Sequence, residues 1–133
     1  MTAASRVPAG RTIADLNLRL SRGETTREAL VAEALEAAAR PEAAHVFTRL
    51  YADAARASAR AADALARAGV QQHPLAGLPV SIKDLYDVGG ETTLAGSVVC
   101  QGEPAAACDA PTVARMRASR AALVGRTNTT EFA

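Results

Sequence analysis

Apolar residues recur at helical spacing through the first half of the chain and at strand-like spacing through the second. Ile13, Leu16 and Leu20 fall on one helical face and Gly23 breaks the pattern, so a first helix is expected over 13–20. Leu30, Val31, Ala34, Leu35 and Ala38 form a second apolar face that ends at Pro41. Thr25, with Glu28 three residues on, has the form of a capping box at its start. The short apolar piece 45–50 reads as a strand, and the Ala-rich run 51–68 as a third helix stopped at Gly69. Along that run Arg56, Arg60, Asp63 and Arg67 recur at three- and four-residue intervals, the mark of a solvated face, and no chemistry is assigned to them.

Residues 71–74 are a polar connector, beyond which Gly, Pro, Val and Thr become frequent. Residues 78–83 alternate, with Leu78, Val80 and Ile82 on one side and Pro79, Ser81 and Lys83 on the other, so a strand is expected with Lys83 near its end. Asp84, Asp87, Gly89 and Gly90 turn the chain into a loop. Asp109 is placed to cap a helix with Pro111 in its first turn, running through Val113, Met116 and Arg117, and 121–124 reads as a further strand. Strand, helix, strand is the order of an α/β sheet.

Composition adds exclusions. With 49% hydrophobic and 22% charged residues the chain is globular, and a net charge of +1 offers no electrostatic hold on nucleic acid or an anionic membrane. The Ala-rich segments are broken by charges every few residues, so no bilayer-spanning run is expected. Residues 1–20 lack an apolar core of signal-peptide length, and a soluble cytoplasmic protein is expected. Cys100 and Cys108 are expected as reduced thiols, because neither has the companions of a zinc site. His45 and His73 have no metal-spaced partners either, and no cofactor or metal is expected.

One imbalance is informative. Of 15 basic residues only Lys83 is a lysine. Where Arg serves every other cationic position, the remaining Lys is placed to supply an amine that can lose its proton. Val80-Ser81-Ile82-Lys83 imitates the lysine strand of protein kinases, but no Gly-rich phosphate loop precedes it. Asn128-Thr129-Thr130 fits a glycosylation acceptor and reads as a side-chain-bonded turn. Asp84 and Asp87 are read as capping or turning the loop, with Asp84 a candidate to orient Lys83.

Gly77-Leu78-Pro79-Val80-Ser81-Ile82-Lys83-Asp84 resembles the stretch around the catalytic lysine of amidase signature enzymes. Asp109-Ala110-Pro111-Thr112-Val113, Leu123-Val124-Gly125-Arg126-Thr127-Asn128 and Thr130-Glu131-Phe132-Ala133 resemble successive landmarks of that family, in the same order. The close resemblance covers 75–133, and the helical first half is similar to the family's looser N-terminal region. The fold it implies is α/β: N-terminal helices over 1–70, then over 75–133 the start of a mixed sheet covered by helices. All 133 residues then form the N-terminal portion of one domain.

The resemblance implies a Ser, cis-Ser, Lys triad in which a neutral Lys83 accepts a proton from a bridging serine that activates the nucleophilic serine. The substrate is a small-molecule amide, hydrolysed through an acyl-enzyme. Both family serines belong downstream of the Thr-Glu-Phe-Ala landmark. Ser81 and Ser97 do not occupy matching positions, so this chain alone is expected to be inactive. Two departures accompany that expectation: Arg120 stands where the family commonly has a left-handed Gly, and Thr129 where a Met is usual. A non-catalytic fragment acting as a binding module stays open as the alternative. Oligomeric state, the identity of the amide and a role in transfer-RNA-dependent amidation also stay open.

Overall fold

The computed structural model describes residues 12–133. The part of the export-signal reading that rests on Arg6 and Arg11 lies outside them. Helices α1 (Ile13–Ser21), α2 (Arg27–Ala38) and α3 (Ala52–Arg67) occupy the first half, with strand β1 (Phe47–Leu50) between the last two. The second half holds β2 (Pro79–Lys83), α4 (Pro111–Ala118) and β3 (Ala122–Thr127), with short 3-10 turns at Pro41–Ala43 and Val98–Gly102. Helices are thus joined by a small mixed sheet, the α/β class expected from the sequence. No helix among the described residues is long and apolar enough to cross a membrane.

The helix starts differ from the sequence reading in two places. The reciprocal capping box belongs to α1, where the Thr12 hydroxyl accepts from the backbone of Asp15 and the Asp15 carboxylate accepts from Thr12 N. At α2 the cap is Thr26 rather than Thr25, its Oγ1 accepting from Ala29 N at 3.1 Å. Glu28 completes no box there, because a second anion already closes that end. Asp63 on α3 accepts from the backbone N–H groups of both Arg27 and Glu28 at 3.1 Å. Asp63 is therefore buried, not part of a solvated face.

The sheet has the order β1-β3-β2. β1 pairs antiparallel with β3 and β2 pairs parallel with it, so β2, α4 and β3 form a parallel pair joined by a helical crossover. Alternation along β3 sends its residues to two cores. Ala122 and Val124 pack with Val31 and Leu35 of α2 and Ala55 and Ala59 of α3, whose small side chains bring that helix close to the sheet. Leu123 faces the other way, into Ile82, Val88 and Val113, with Tyr51, Val80 and Met116 at the margin. A central strand buried on both faces reads as a continuous apolar run. β3 nevertheless extends through Gly125 and Arg126 to Thr127, three residues past the end expected from the sequence. Gly125 is required within it, because a Cβ there would run into the Arg49 carbonyl oxygen of the neighbouring strand.

Candidate active site

Strand β2 delivers Lys83 to its C-terminal end. The register sets Ile82 opposite Arg126 and Lys83 opposite Thr127, and the Asp84 N–H donates to Thr127 O at 2.9 Å, extending the ladder one residue beyond the lysine. Ile82 is buried in the core, Lys83 is exposed, and Asp84 is buried again. The Lys83 amine meets no hydrogen-bonding or ionic partner among the described residues, because the acid beside it is fully committed elsewhere.

That acid is the centre of a buried network. Asp84 Oδ1 receives Arg126 Nη2 at 2.7 Å and Leu94 N at 3.1 Å, while Oδ2 receives the Thr48 hydroxyl at 2.8 Å. Arg126 itself is 2% exposed. Its Nη1 reaches Glu91 and the Thr92 carbonyl, each at 3.2 Å, and its Nη2 also donates to Tyr86 O at 3.0 Å. A guanidinium is suited to such burial because its planar fork presents five donors in fixed directions. Only its Nε finds no partner. Glu91 additionally accepts the Tyr51 hydroxyl at 2.7 Å and pairs with Arg49 at 3.1 Å. Burial pushes the Glu91 carboxyl upward, but the hydrogen bonds from Tyr51, Arg49 and Arg126 outweigh it and hold the group below its ordinary value. Burial, reinforced by the Glu91 carboxylate, drives the Tyr51 hydroxyl well above the usual phenol range, so Tyr51 is a fixed donor.

The loop leaving Lys83 is tied at several points. Asp87 accepts the Thr93 hydroxyl at 2.7 Å, the turning role expected of it. Asp109 does not cap α4, whose N-cap is Ala110 without a side-chain bond. Instead it accepts Gly89 N at 2.8 Å and Arg117 Nε at 2.7 Å, joining the loop to the helix. The Gly89 N–H, and then the Arg117 charge, hold the Asp109 carboxyl below its ordinary range. The chain comes back beside the lysine at 94–97, where Ala95 and Gly96 are both left-handed, at φ 51° and 68°. Ala95 N donates to Asp84 O at 2.9 Å, and Phe132 N to Ala95 O at 2.9 Å. A Cβ at Gly96 would lie 2.5 Å from Thr129 O, so this contact admits no side chain.

Ser81 is exposed on β2, and Ser97 is buried with its hydroxyl donating to Glu131 at 2.6 Å. Thr129 N bonds to Asn128 Oδ1 at 2.9 Å, the local turn expected there. Cys100 and Cys108 are free thiols. Two cavities flank the network. A polar one of about 360 Å³ is lined by Thr48, Arg49, Asp84, Glu91 and Arg126. A more apolar one of about 470 Å³ runs between α3 and the start of β3, against Tyr51, Leu65, Arg117, Arg120 and Leu123. Lys83 lines neither of them.

The sequence pattern places Lys83 at the strand end, where it is found, and makes Asp84 a candidate to orient it. The carboxylate is in fact taken by Arg126, Leu94 and Thr48. Arg126, Glu91, Tyr51 and Thr48 do not stand out in the sequence pattern. The available signal is weak: Arg126 follows the apolar run 121–124 directly after Gly125.

Comparison with known proteins gives a consistent result. The Amidase family profile matches residues 29–133. AtzE, which belongs to the 1-carboxybiuret hydrolase of Pseudomonas sp. (strain ADP), is 44% identical over 89 residues, covering 67% of this chain and 20% of that protein. A glutamyl-tRNA(Gln) amidotransferase component of Acidothermus cellulolyticus is 35% identical over 126 residues, covering 92% of this chain and 24% of that protein. Among solved structures, one described as a vestigial protein complex revealing the origins of an s-triazine catabolic enzyme superposes with a TM-score of 0.81. Its identity is 36%, covering 92% of this chain and 27% of that one. The native peptide amidase of Stenotrophomonas maltophilia gives 0.78 at 31% identity, covering 94% of this chain and 26% of that one. The chain thus spans about a quarter or less of the length of these relatives.

Proposed function

The chain belongs to the amidase family, the amidase signature enzymes, and from that premise we propose that it supplies the lysine of a Ser, cis-Ser, Lys triad that hydrolyses a carboxamide. The observation that carries this reading is the setting of Lys83. The only lysine in the sequence ends a strand within the matched region, while every acid near it is engaged by another group. The Lys83 amine is thus left without a carboxylate partner among the described residues.

Such an amine can act as the base of a Ser-Lys acyl transfer. Neutral Lys83 takes the proton of the bridging serine, which takes the proton of the nucleophilic serine as its oxygen attacks the amide carbon. The leaving nitrogen departs with a returned proton as the acyl-enzyme forms, and water, deprotonated along the same relay, then releases the carboxylate. Arginine could not take this part, because its guanidinium stays protonated at working pH. In this reading neither Ser81 nor Ser97 takes either serine's part, and both parts are assigned to residues past the Thr-Glu-Phe-Ala landmark. The relatives' names differ in substrate, and choice of amide is assigned to those remaining parts. In the full-length gene product, Lys83→Arg and Lys83→Ala are each expected to abolish amide turnover with circular dichroism and melting temperature nearly unchanged. Near-normal turnover in either variant rules the assignment out.

A further inference from the structure

We infer that Asp84 and Arg126 are positioning residues for Lys83: the buried pair fixes the backbone from which the lysine projects, so that its amine is presented in one place. The inference rests on Lys83 being the base of the reaction. Five interactions converge on the residue immediately after the lysine. Its N–H is held by Thr127 O, its C=O by Ala95 N, and its carboxylate by Arg126, Leu94 N and the Thr48 hydroxyl. On the other side of Lys83, Ile82 is buried in the core and paired in register with Arg126. A long exposed side chain is thus rooted between two immobilised neighbours, and the same β3 arginine serves both flanks.

Stability alone does not account for a salt bridge here. Both side chains are 2% exposed, and a buried pair often gives no net stability over apolar residues of the same size. An apolar residue at 84 would fill the space but could not gather strand β1 through Thr48, the 94–97 loop through Leu94 and strand β3 through Arg126. Directionality is what the charges add. The network is also balanced: the two guanidinium groups of Arg49 and Arg126 face the two carboxylates of Asp84 and Glu91. It therefore places little net charge beside Lys83, and its effect on the lysine is one of placement.

The test uses the full-length gene product with an amide substrate, comparing Asp84→Asn and Thr48→Val with Asp63→Asn. The last removes another buried acid, one on α3 that closes the start of α2 and makes no contact with the network at Asp84. Asp84→Asn is expected to lower the pH-independent plateau of kcat by about tenfold or more with KM little changed. Thr48→Val, which spares the ion pair and so folds, is expected to lower it by about two- to fivefold. Asp63→Asn lowers the melting temperature but leaves kcat at wild-type level well below the melt. The inference fails if Thr48→Val and any folded Asp84→Asn keep the wild-type plateau, or if Asp84→Asn merely moves the pH midpoint, which marks an electrostatic effect. Turnover that persists in Lys83→Ala, or is absent from the unaltered protein, instead defeats the catalytic reading and this one with it.

Discussion

Asp63 and Arg27, 36 residues apart, meet through both backbone and side chain: one carboxylate oxygen accepts the Arg27 N–H at 3.1 Å and its guanidinium at 3.3 Å. The other oxygen accepts Glu28 N, and Arg27 Nε reaches on to Ala76 O at 2.8 Å. One acid on α3 thus closes the start of α2, where the helix dipole favours an anion, and its partner arginine carries the connection to the segment entering β2.

Asp63→Ala is accordingly expected to destabilise the fold by on the order of 3 kcal/mol, since it leaves the partly buried Arg27 without its acid and two N–H groups without acceptors. Thr26→Ala, which removes a single cap bond, is expected to cost about 1 kcal/mol. Denaturant unfolding of both variants against the parent protein checks the order. Equal losses would show that Asp63 acts as no more than an ordinary cap.

The reason Asp63 looks solvated in the sequence is physical. Period and charge place it among Arg56, Arg60 and Arg67 on one helix, and nothing local reveals that the start of another helix lies against it. The same holds for Arg126, whose partners Asp84 and Glu91 lie 42 and 35 residues upstream, so that only the closed sheet brings them together. What depends on neighbours in sequence is legible: the helices, the strand ending at Lys83 and the Asn128 turn. The sequence pattern ends β3 too early because Gly125 and Arg126 look like a break, although one is needed for strand approach and the other is buried by ion pairing.

The resemblance implies a left-handed position at Arg120, and Arg120 has φ 58° just after α4. A side chain there costs about 1–2 kcal/mol, while glycine gives back up to about 1 kcal/mol through its freer unfolded chain. Arg120→Gly is therefore expected to raise stability by about 0.5 kcal/mol, near 2 °C in melting temperature. The backbone contacts, Arg120 N to Arg117 O and Gly77 N to Arg120 O, survive the change. A lowered melting temperature would show that the Arg120 side chain contributes more than its backbone costs.

Acid should weaken the fold through Glu91 and Asp109. Both carboxyls lie below their ordinary values of 4.5 and 3.8, Glu91 by its three donors against burial and Asp109 chiefly by the Gly89 N–H. The unfolded chain then takes up protons first. Their contribution is complete above the ordinary values and is lost as pH falls through the depressed ones. Urea unfolding should thus be nearly independent of pH from about 7 to 5 and weaken progressively below about 4.5. Glu91→Gln is expected to flatten that slope, and an unaltered slope in the variant would remove Glu91 from the account.

The 133-residue chain by itself is expected to be sticky and only loosely packed. Among the described residues the sheet has three strands, and both β1 and β2 pair on one side only, leaving two rows of backbone groups able to recruit other chains. Val98, Val99 and Phe132 are 75%, 73% and 63% exposed, and they lie on segments flanking the 94–97 turn rather than scattered over the surface. The covered side gives little in compensation. The α2–α3 cluster is rich in alanine, and the buried side chains among the described residues include no aromatic ring. Alanine methyls contribute far less burial energy than the roughly 1.5–3 kcal/mol of a larger apolar side chain. Helical circular dichroism should therefore persist while dye binding reports exposed apolar surface, unfolding is broad, and sedimentation finds self-associated species. Asp84 and Arg126 sharpen the expectation, because loose packing admits water to a pair that is 2% exposed in the fold, weakening the tie between β3 and the lysine loop. A monomer that melts in one sharp cooperative transition would show instead that these residues complete their own core, and that neither the open strand edges nor the exposed valines require covering.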